Sequence, residues 1–404
     1  MSDARASREE LDAFRREVRH WMEANRPPDP GFVLPQSMLF VTTEEQFRYL
    51  RDWQARVYDA GFVGVEWPRE YGGGGRARGH QGVVGQEMSR AGAPFLINLV
   101  GLAWAGPVIL AYGTEDQKKR YIAKILRADE IWCQGFSEPS AGSDLASLRT
   151  RAVREGDQWV VNGHKVWTSL GRFADRMILL ARTDPDVAKH AGISYFLSPM
   201  KIEGVDVVPL TKITGEGGFN QIFFADARFD ADCLLGREGQ GWEIALATLN
   251  FERGAAEGAA GGGDGYDYDV GKAIELARVV RRDGRSAIED AGVRDRLARF
   301  ATEAVAIRYS AARARTPGLV GDRPMALPLM SKVVGSEHVQ RLADFGCELQ
   351  GYAGTLSKGD AAAIDDGEWQ RFYLNSYGFT IAGGTSEIVR NVLGEKVLGL
   401  PKTR

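Results

Sequence analysis

Between residues 147 and 230 the apolar residues stop recurring at helical spacing and fall into short β-rich runs. These are "QWVVNGHKVWTS", "RMILLAR", "ISYFLSPM", "VDVVPL" and "QIFFADARF", separated by Gly, Asp and Pro turns. No helical repeat interrupts them. A doubly wound sheet needs helical crossovers, so the runs predict an antiparallel β-domain instead. On either side the helical period holds, from residue 8 to about 130 and again from "GREGQGWEIALATLNFERG" to the end. The expected class is α+β. At 404 residues the chain is too long for one ordinary core, and three domains are expected: 1–132 helical, 133–240 β and 241–404 helical.

Local signals sharpen this reading. Leu11, Phe14, Val18 and Trp21 mark one stripe of an amphipathic first helix, preceded by acidic residues, unlike a signal or transit peptide. Thr114 and Gln117 in "YGTEDQ" form a capping-box pattern. The uncharged run from Phe95 to Tyr112 has to be weighed as a membrane span; Asn98, Gly101 and the Gly106-Pro107 break favour a buried helix pair, one able to line an apolar ligand pocket. No membrane span is expected. The cluster "GAAEGAAGGGDGYDYDVG" (254–271) predicts a mobile loop or broken helix.

Composition removes several functions. A net charge of −3 and a pI near 6.1 offer no basic surface for nucleic acid. Cys133, Cys233 and Cys347 are far apart and form no CxxC, which argues against a disulfide framework or zinc site and for a cytoplasmic protein. Five histidines lack metal-binding spacing, so no metal is expected. "GYDYDVGKA" fails as a phosphate loop in both length and its Ala273, and neither GxSxG nor GxGxxG is present after a strand.

Two stretches remain. "IAGGTSEIVR" (381–390) delivers a helix N-terminus behind two glycines, a place suited to an anion or a carbonyl oxygen. "CQGFSEPSAGSDLASLRTRAVREGDQWVVNGHKVWTS" (133–169) sets Ser137, Ser140, Gly142 and Ser143 at the join of the helical and β regions. Small hydroxyl residues and glycines there let backbone N–H groups approach a flat heteroaromatic ring or a pyrophosphate, with Trp167 placed to stack on a ring. A tight turn and a core tryptophan would leave the same pattern.

The 133–169 stretch resembles the flavin-binding segment of the acyl-CoA dehydrogenase family: a Thr/Ser-Glu-Pro, a Gly-Ser-Asp and a later Trp-x-Thr/Ser. "YGTEDQKKRYI", "GREGQGW" and "GGTSEIVRNVLGEKVLGLP" resemble further landmarks, so the likeness spans nearly the whole chain. It implies an α-helical domain, a β-barrel-like domain and a C-terminal four-helix bundle. FAD is the implied cofactor, with Phe136 and Ser137 at its pyrimidine edge, Ser169 near N5 and Trp167 against the ring. Gly142 and Ser143 fall where the pyrophosphate and the substrate's CoA arm come together, and Thr385 and Glu387 also match cofactor contacts. An acyl-CoA thioester is the implied substrate, with Leu99, Leu102 and Ala103 walling its acyl pocket; an electron-transfer flavoprotein is the implied acceptor.

Two positions depart from the family pattern. Many members place a catalytic Glu where this chain has Gly383, which can offer only its backbone N–H. Other branches carry the base on a C-terminal-domain helix before an Arg, and Glu252-Arg253 in "LNFERG" matches them, with Arg253 on the substrate side. A surface ion pair would look the same in sequence. Many members carry in segment 278–292 an Arg followed by a Phe-Gly pair that reaches a neighbouring subunit's FAD; this chain has Arg281, Arg282 and Arg285 there but no phenylalanine. A homodimer or homotetramer is implied, with a heteromer as the alternative. Competing readings are an oxygen-using relative and a non-catalytic partner subunit.

Overall fold

Ser7 opens the first helix, α1 (Arg8–Asn25): its hydroxyl accepts from the Glu10 N–H while the Glu10 carboxylate reaches back to the Ser7 N–H. The computed structural model describes residues 5–35, 37–259, 264–314, 316, 318–323 and 325–402, without the side chains of residues 39 and 252–269. The predicted stripe falls inward, with Phe14 and Val18 buried and Leu11 and Trp21 partly buried beside them. Thr43 and Gln46 cap α2 (Glu44–Asp59) by the same reciprocal pair. Helix α3 (His80–Arg90) locks onto α1 through Glu87, whose buried carboxylate accepts from Arg19 at 2.9 Å, Arg90 at 2.7 Å and Arg15 at 3.2 Å. Those hydrogen bonds, that of Arg19 first, hold the Glu87 carboxyl down at about 2.

The uncharged run does not split at Gly106-Pro107. A π-helical turn, Gly101–Ala105, leads directly into α4 (Gly106–Tyr112), and Gly106 keeps helical angles. The wider turn accommodates a proline that lacks the N–H an α-helical ladder would use, so the expected pair is one bulged helix. Asn98 sits at its start, fully buried. Its Nδ2 donates to the carbonyls of Ile125 and Glu130, its Oδ1 accepts from the Trp132 N–H and its own N–H meets Gln54. These bonds join the run to α5 (Glu115–Arg127), which opens with the expected Thr114–Gln117 capping box, and to the first strand. Among the described residues no helix is long and apolar enough to cross a membrane.

Eight strands follow among the described residues: β1 (Trp132–Gly135), β2 (Arg151–Glu155), β3 (Gln158–Ser169), β4 (Arg176–Arg182), β5 (Ile193–Pro199), β6 (Val205–Leu210), β7 (Phe219–Asp230) and β8 (Leu234–Leu235). They form one sheet in the order β6-β7-β3-β2-β4-β5-β8, with β1 beside β4. The five runs read from the sequence are β3 to β7. The sheet is not wholly antiparallel, because β1 pairs with β4 in parallel and β2 touches β4 in parallel at Arg151–Arg182. Strand β1 arrives from α5 rather than from a hairpin, so nothing obliges it to run against its neighbour. Among the described pairings β6 and β8 end the order, which is a central sheet rather than a demonstrated barrel.

The chain divides into two compact units, Met1–Glu252 and Arg253–Arg404. Helix α6 (Gly241–Ala259) begins in the first, where Ile244 and Ala245 are buried and Thr248 meets the Tyr195 hydroxyl at 3.1 Å. The second unit holds α7 (Asp264–Val279), a hairpin of β9 (Arg281–Arg282) and β10 (Arg285–Ser286), α8 (Ala291–Ala314), α9 (Ala326–Leu349), α10 (Glu368–Ile381) and α11 (Ser386–Val392). Helix α9 packs against the other four helices, with Leu342 and Phe345 buried beside Phe300 and Trp369. The described stretches flanking residues 260–263 are helical, so the glycine-rich segment is not one long loop.

Candidate active site

Two backbone edges of the first unit carry the residues that sequence singled out. One is the segment after β1, Phe136 and Ser137; the other is the end of β3, Trp167 to Ser169. The Val166 N–H donates to the Ser137 carbonyl at 3.0 Å, which binds the edges together. Between Lys165 and Thr168, β3 holds one residue more than its partner β7 requires, so the ladder bulges. Trp167 lies on that bulge in the left-handed region, φ +63, with 56% of its surface exposed. A bulky residue seldom adopts that backbone, and the bulge aims its indole away from the core. Next to it Thr168 is fully buried, its carbonyl accepting from Asn220 Nδ2 at 3.0 Å and its hydroxyl without a partner.

Polar groups on these edges are left available. Among the described residues, neither the N–H nor the hydroxyl of half-buried Ser137 has a partner within the chain, nor has the hydroxyl of Ser169. Gly142 and Ser143 are exposed on the connection that follows, and a Cβ at Gly142 would meet nothing within 4 Å. Asp144, beside them, is tied to Lys189 at 2.7 Å. Free donors on one edge, a hydroxyl on the other and an outward indole suit a flat heteroaromatic ring with polar atoms along one side.

Beneath the edges lies a buried ion pair that the sequence reading missed. Lys165 is fully buried; its ammonium donates to the Phe136 carbonyl at 3.0 Å and to Glu138 at 2.9 Å. Glu138 also accepts the N–H groups of Arg149 at 2.7 Å and Thr150 at 2.8 Å. Burial works to raise the Glu138 carboxyl, but Lys165 and those bonds outweigh it and hold it below the usual carboxylate range. Burial also draws the Lys165 ammonium down to about 8, leaving the pair charged at neutral pH. A lysine inside an apolar strand, two residues before Trp167, was the available signal.

Leu99, Leu102 and Ala103 are each half-buried, on one side of the bulged helix. In the second unit, Gly383 and Gly384 take φ +66 and +93, a left-handed pair that needs glycine. Among the described residues the Gly383 N–H has no partner, and a Cβ there would meet nothing within 4 Å. The expected ligand-binding helix N-terminus is capped by its own chain: Thr385 accepts from the Ile388 N–H at 3.2 Å, and α11 is only seven residues long. The backbone hydrogen bond of Glu387 and Thr385 keep the Glu387 carboxyl low. Glu252 is on α6, one turn past Thr248, and the side chains of Glu252 and Arg253 lie outside the described residues. The 278–292 segment forms the β9–β10 hairpin, turning through Asp283 and Gly284 with Arg281 and Arg285 exposed.

Helical stretches before and after a mostly antiparallel sheet, with an exposed indole and unpartnered polar groups at the sheet's bulge, suit an enzyme that binds a flat cofactor. Three family descriptions match in order: the acyl-CoA dehydrogenase N-terminal domain over residues 8–129, the middle domain over 133–230 and the C-terminal domain over 239–398. The acyl-CoA dehydrogenase IpdE1 of Mycobacterium tuberculosis is 39% identical over 396 residues, covering 98% of this chain and 99% of its own. Among solved structures, the ChsE4-ChsE5 complex from Mycobacterium tuberculosis is similar with a TM-score of 0.77 at 30% identity, covering 98% of this chain and 99% of that one. The steroid ACAD Tcur3481-Tcur3483 is similar with a TM-score of 0.77 at 28% identity, covering 98% and 99%. This chain therefore belongs to the acyl-CoA dehydrogenase family, oxidoreductases that act on a CH–CH bond and depend on FAD.

Proposed function

We propose that this chain binds FAD in the cradle of Phe136, Ser137, Trp167 and Ser169 and oxidises the α,β bond of a bulky acyl-CoA thioester. The bulge that turns Trp167 outward beside unpartnered donors carries the reading. Bound FAD would supply the hydride acceptor. The protein's part is to hold the thioester and remove its α-proton. An α-proton is too weak an acid for a carboxylate unless fixed donors hold the developing enolate oxygen. Family resemblance supports the Gly383 N–H as one such donor, Glu252 as the base and Arg253 on the substrate side. Gly142 and Ser143 would meet the pyrophosphate and CoA arm, and Thr385 and Glu387 other parts of the cofactor. The half-buried Leu99, Leu102 and Ala103 would wall the acyl group. Gly383, which adds no side chain, and the steroid-type relatives support a large, ring-bearing acyl group. Electrons would pass to an electron-transfer flavoprotein, and domain boundaries near residues 132 and 240 accompany this reading.

Anaerobic titration with a panel of acyl-CoA thioesters tests it. Ring-bearing thioesters should bleach the flavin absorbance, and Glu252→Gln should abolish bleaching while FAD stays bound. Retained turnover in that variant would remove Glu252 from the role, and a clear preference for short straight chains would remove the large-pocket reading. Gly383 and the two-chain ChsE4-ChsE5 relative also favour a second reading, a subunit that works with a homologous chain. Flavin bound and bleached only after co-purification with such a chain would select it.

A further inference from the structure

The Glu138–Lys165 pair touches nothing at the surface, yet it grips the edge of the cradle. The Phe136 carbonyl points inward to the Lys165 ammonium at 3.0 Å. Among the described residues no peptide bond is cis, so the N–H of the same peptide unit, that of Ser137, points the opposite way. There it has no partner within the chain among the described residues. One peptide thus faces a buried cation with its oxygen and the cradle with its N–H.

A cation on a carbonyl oxygen withdraws electron density from the whole peptide and makes its N–H a stronger donor, in the way hydrogen bonds in series reinforce one another at low dielectric. Glu138 makes the cation affordable in an apolar interior, because an unpaired buried ammonium would shed its proton. The carboxylate also takes the N–H groups of Arg149 and Thr150, so the pair fixes the post-β1 edge relative to β2 and β3. Trp167 is only two positions beyond Lys165, so the same anchor sets where the bulge begins.

We propose that Lys165, held by Glu138, is a positioning residue for the flavin: it fixes and polarises the Phe136–Ser137 peptide so that the Ser137 N–H stabilises electron density arriving at the ring's pyrimidine edge. The proposal rests on the FAD reading above. It assigns Lys165 no contact with substrate and no proton transfer. Its consequence is a bound flavin that is easier to reduce than the cradle's shape alone would make it.

The test compares FAD affinity and the spectroelectrochemical midpoint potential of bound flavin in the full-length protein and in Lys165→Met. Losing a charge-assisted bond behind the donor should raise the FAD dissociation constant by roughly tenfold. The potential should fall, and the flavin absorbance bands should move. Should Lys165→Met not fold, Glu138→Gln combined with Lys165→Met leaves no unpaired buried charge and carries the same expectation. Lys165→Gln, which keeps a donor without the charge, should recover part of the affinity but not the potential. Wild-type protein that binds FAD, with variants matching it in potential and spectrum, would overturn the positioning role and leave the cofactor reading intact. Wild-type protein that takes up no FAD, either alone or co-purified with a homologous chain, overturns the cofactor reading, and this proposal with it.

Discussion

Trp167 shows how one residue can set stability against function. Its left-handed backbone carries a cost of about 1 kcal/mol or more that glycine would escape. More than half of its surface lies in water and within the chain its ring meets Phe219 edge to face at 5.7 Å, so only modest packing repays that cost. Trp167→Gly should therefore leave the cofactor-free protein as stable as wild type, or more stable by up to about 1 kcal/mol in urea unfolding. The same change should weaken FAD binding by roughly three- to tenfold through lost ring contact. Movement of both quantities downward together would mean that Trp167 is a packing residue whose exposure is incidental. Sequence alone could place Trp167 on a strand by its flanking alternation, but not on a bulge. The extra residue becomes visible only when β3 is set against β7. Lys165 stood out as a lysine in an apolar strand, but its pairing was illegible for a related reason: its partner is 27 residues away in a loop, and burial depends on three segments meeting.

At the scale of elements, the β-runs were readable because strong alternation and turn residues bound them; β3 and β4 begin and end where their sequence runs do. Short β1 and β2 escaped, since four or five residues carry too little periodicity to separate a strand from a loop. The uncharged run was legible as buried but not in its path, because the π-turn depends on how Pro107 is accommodated rather than on hydropathy. Asn98 is what commits that run to the interior. Asn98→Leu preserves volume and raises hydropathy, yet it would strand the Glu130 carbonyl and the Trp132 N–H, while the Ile125 carbonyl keeps Gln54 and the Ala128 N–H. A loss of about 2 kcal/mol in unfolding free energy is expected, allowing for partial relaxation of the two groups. If apolarity governed this segment, the substitution would be neutral or stabilising, and urea unfolding separates the two outcomes.

For the whole molecule, the helical, β, helical layout could be read because each period is sustained over a long stretch, residues 147–230 for the β one, whereas assembly leaves a weaker trace. The second unit carries large apolar side chains in water on three helices that pack together: Tyr309 on α8, Met330 and Val334 on α9, and Tyr377, Phe379 and Ile381 on α10. In the sequence these positions look like ordinary core residues of amphipathic helices. Only the fold shows that their own unit leaves them uncovered, and exposed apolar groups on such a scale mark contact with another chain. A second chain of the same family is the partner to test first, because a matching apolar helical face is what an isologous or near-isologous contact needs. Sedimentation of the purified chain should accordingly give a dimer or larger species. Phe379→Glu combined with Ile381→Glu should shift it toward monomer with helical circular dichroism unchanged, since both side chains lie in water within the unit. A wild-type chain that is monomeric at micromolar concentration and stays so when co-expressed with a homologous chain would show that these faces join nothing.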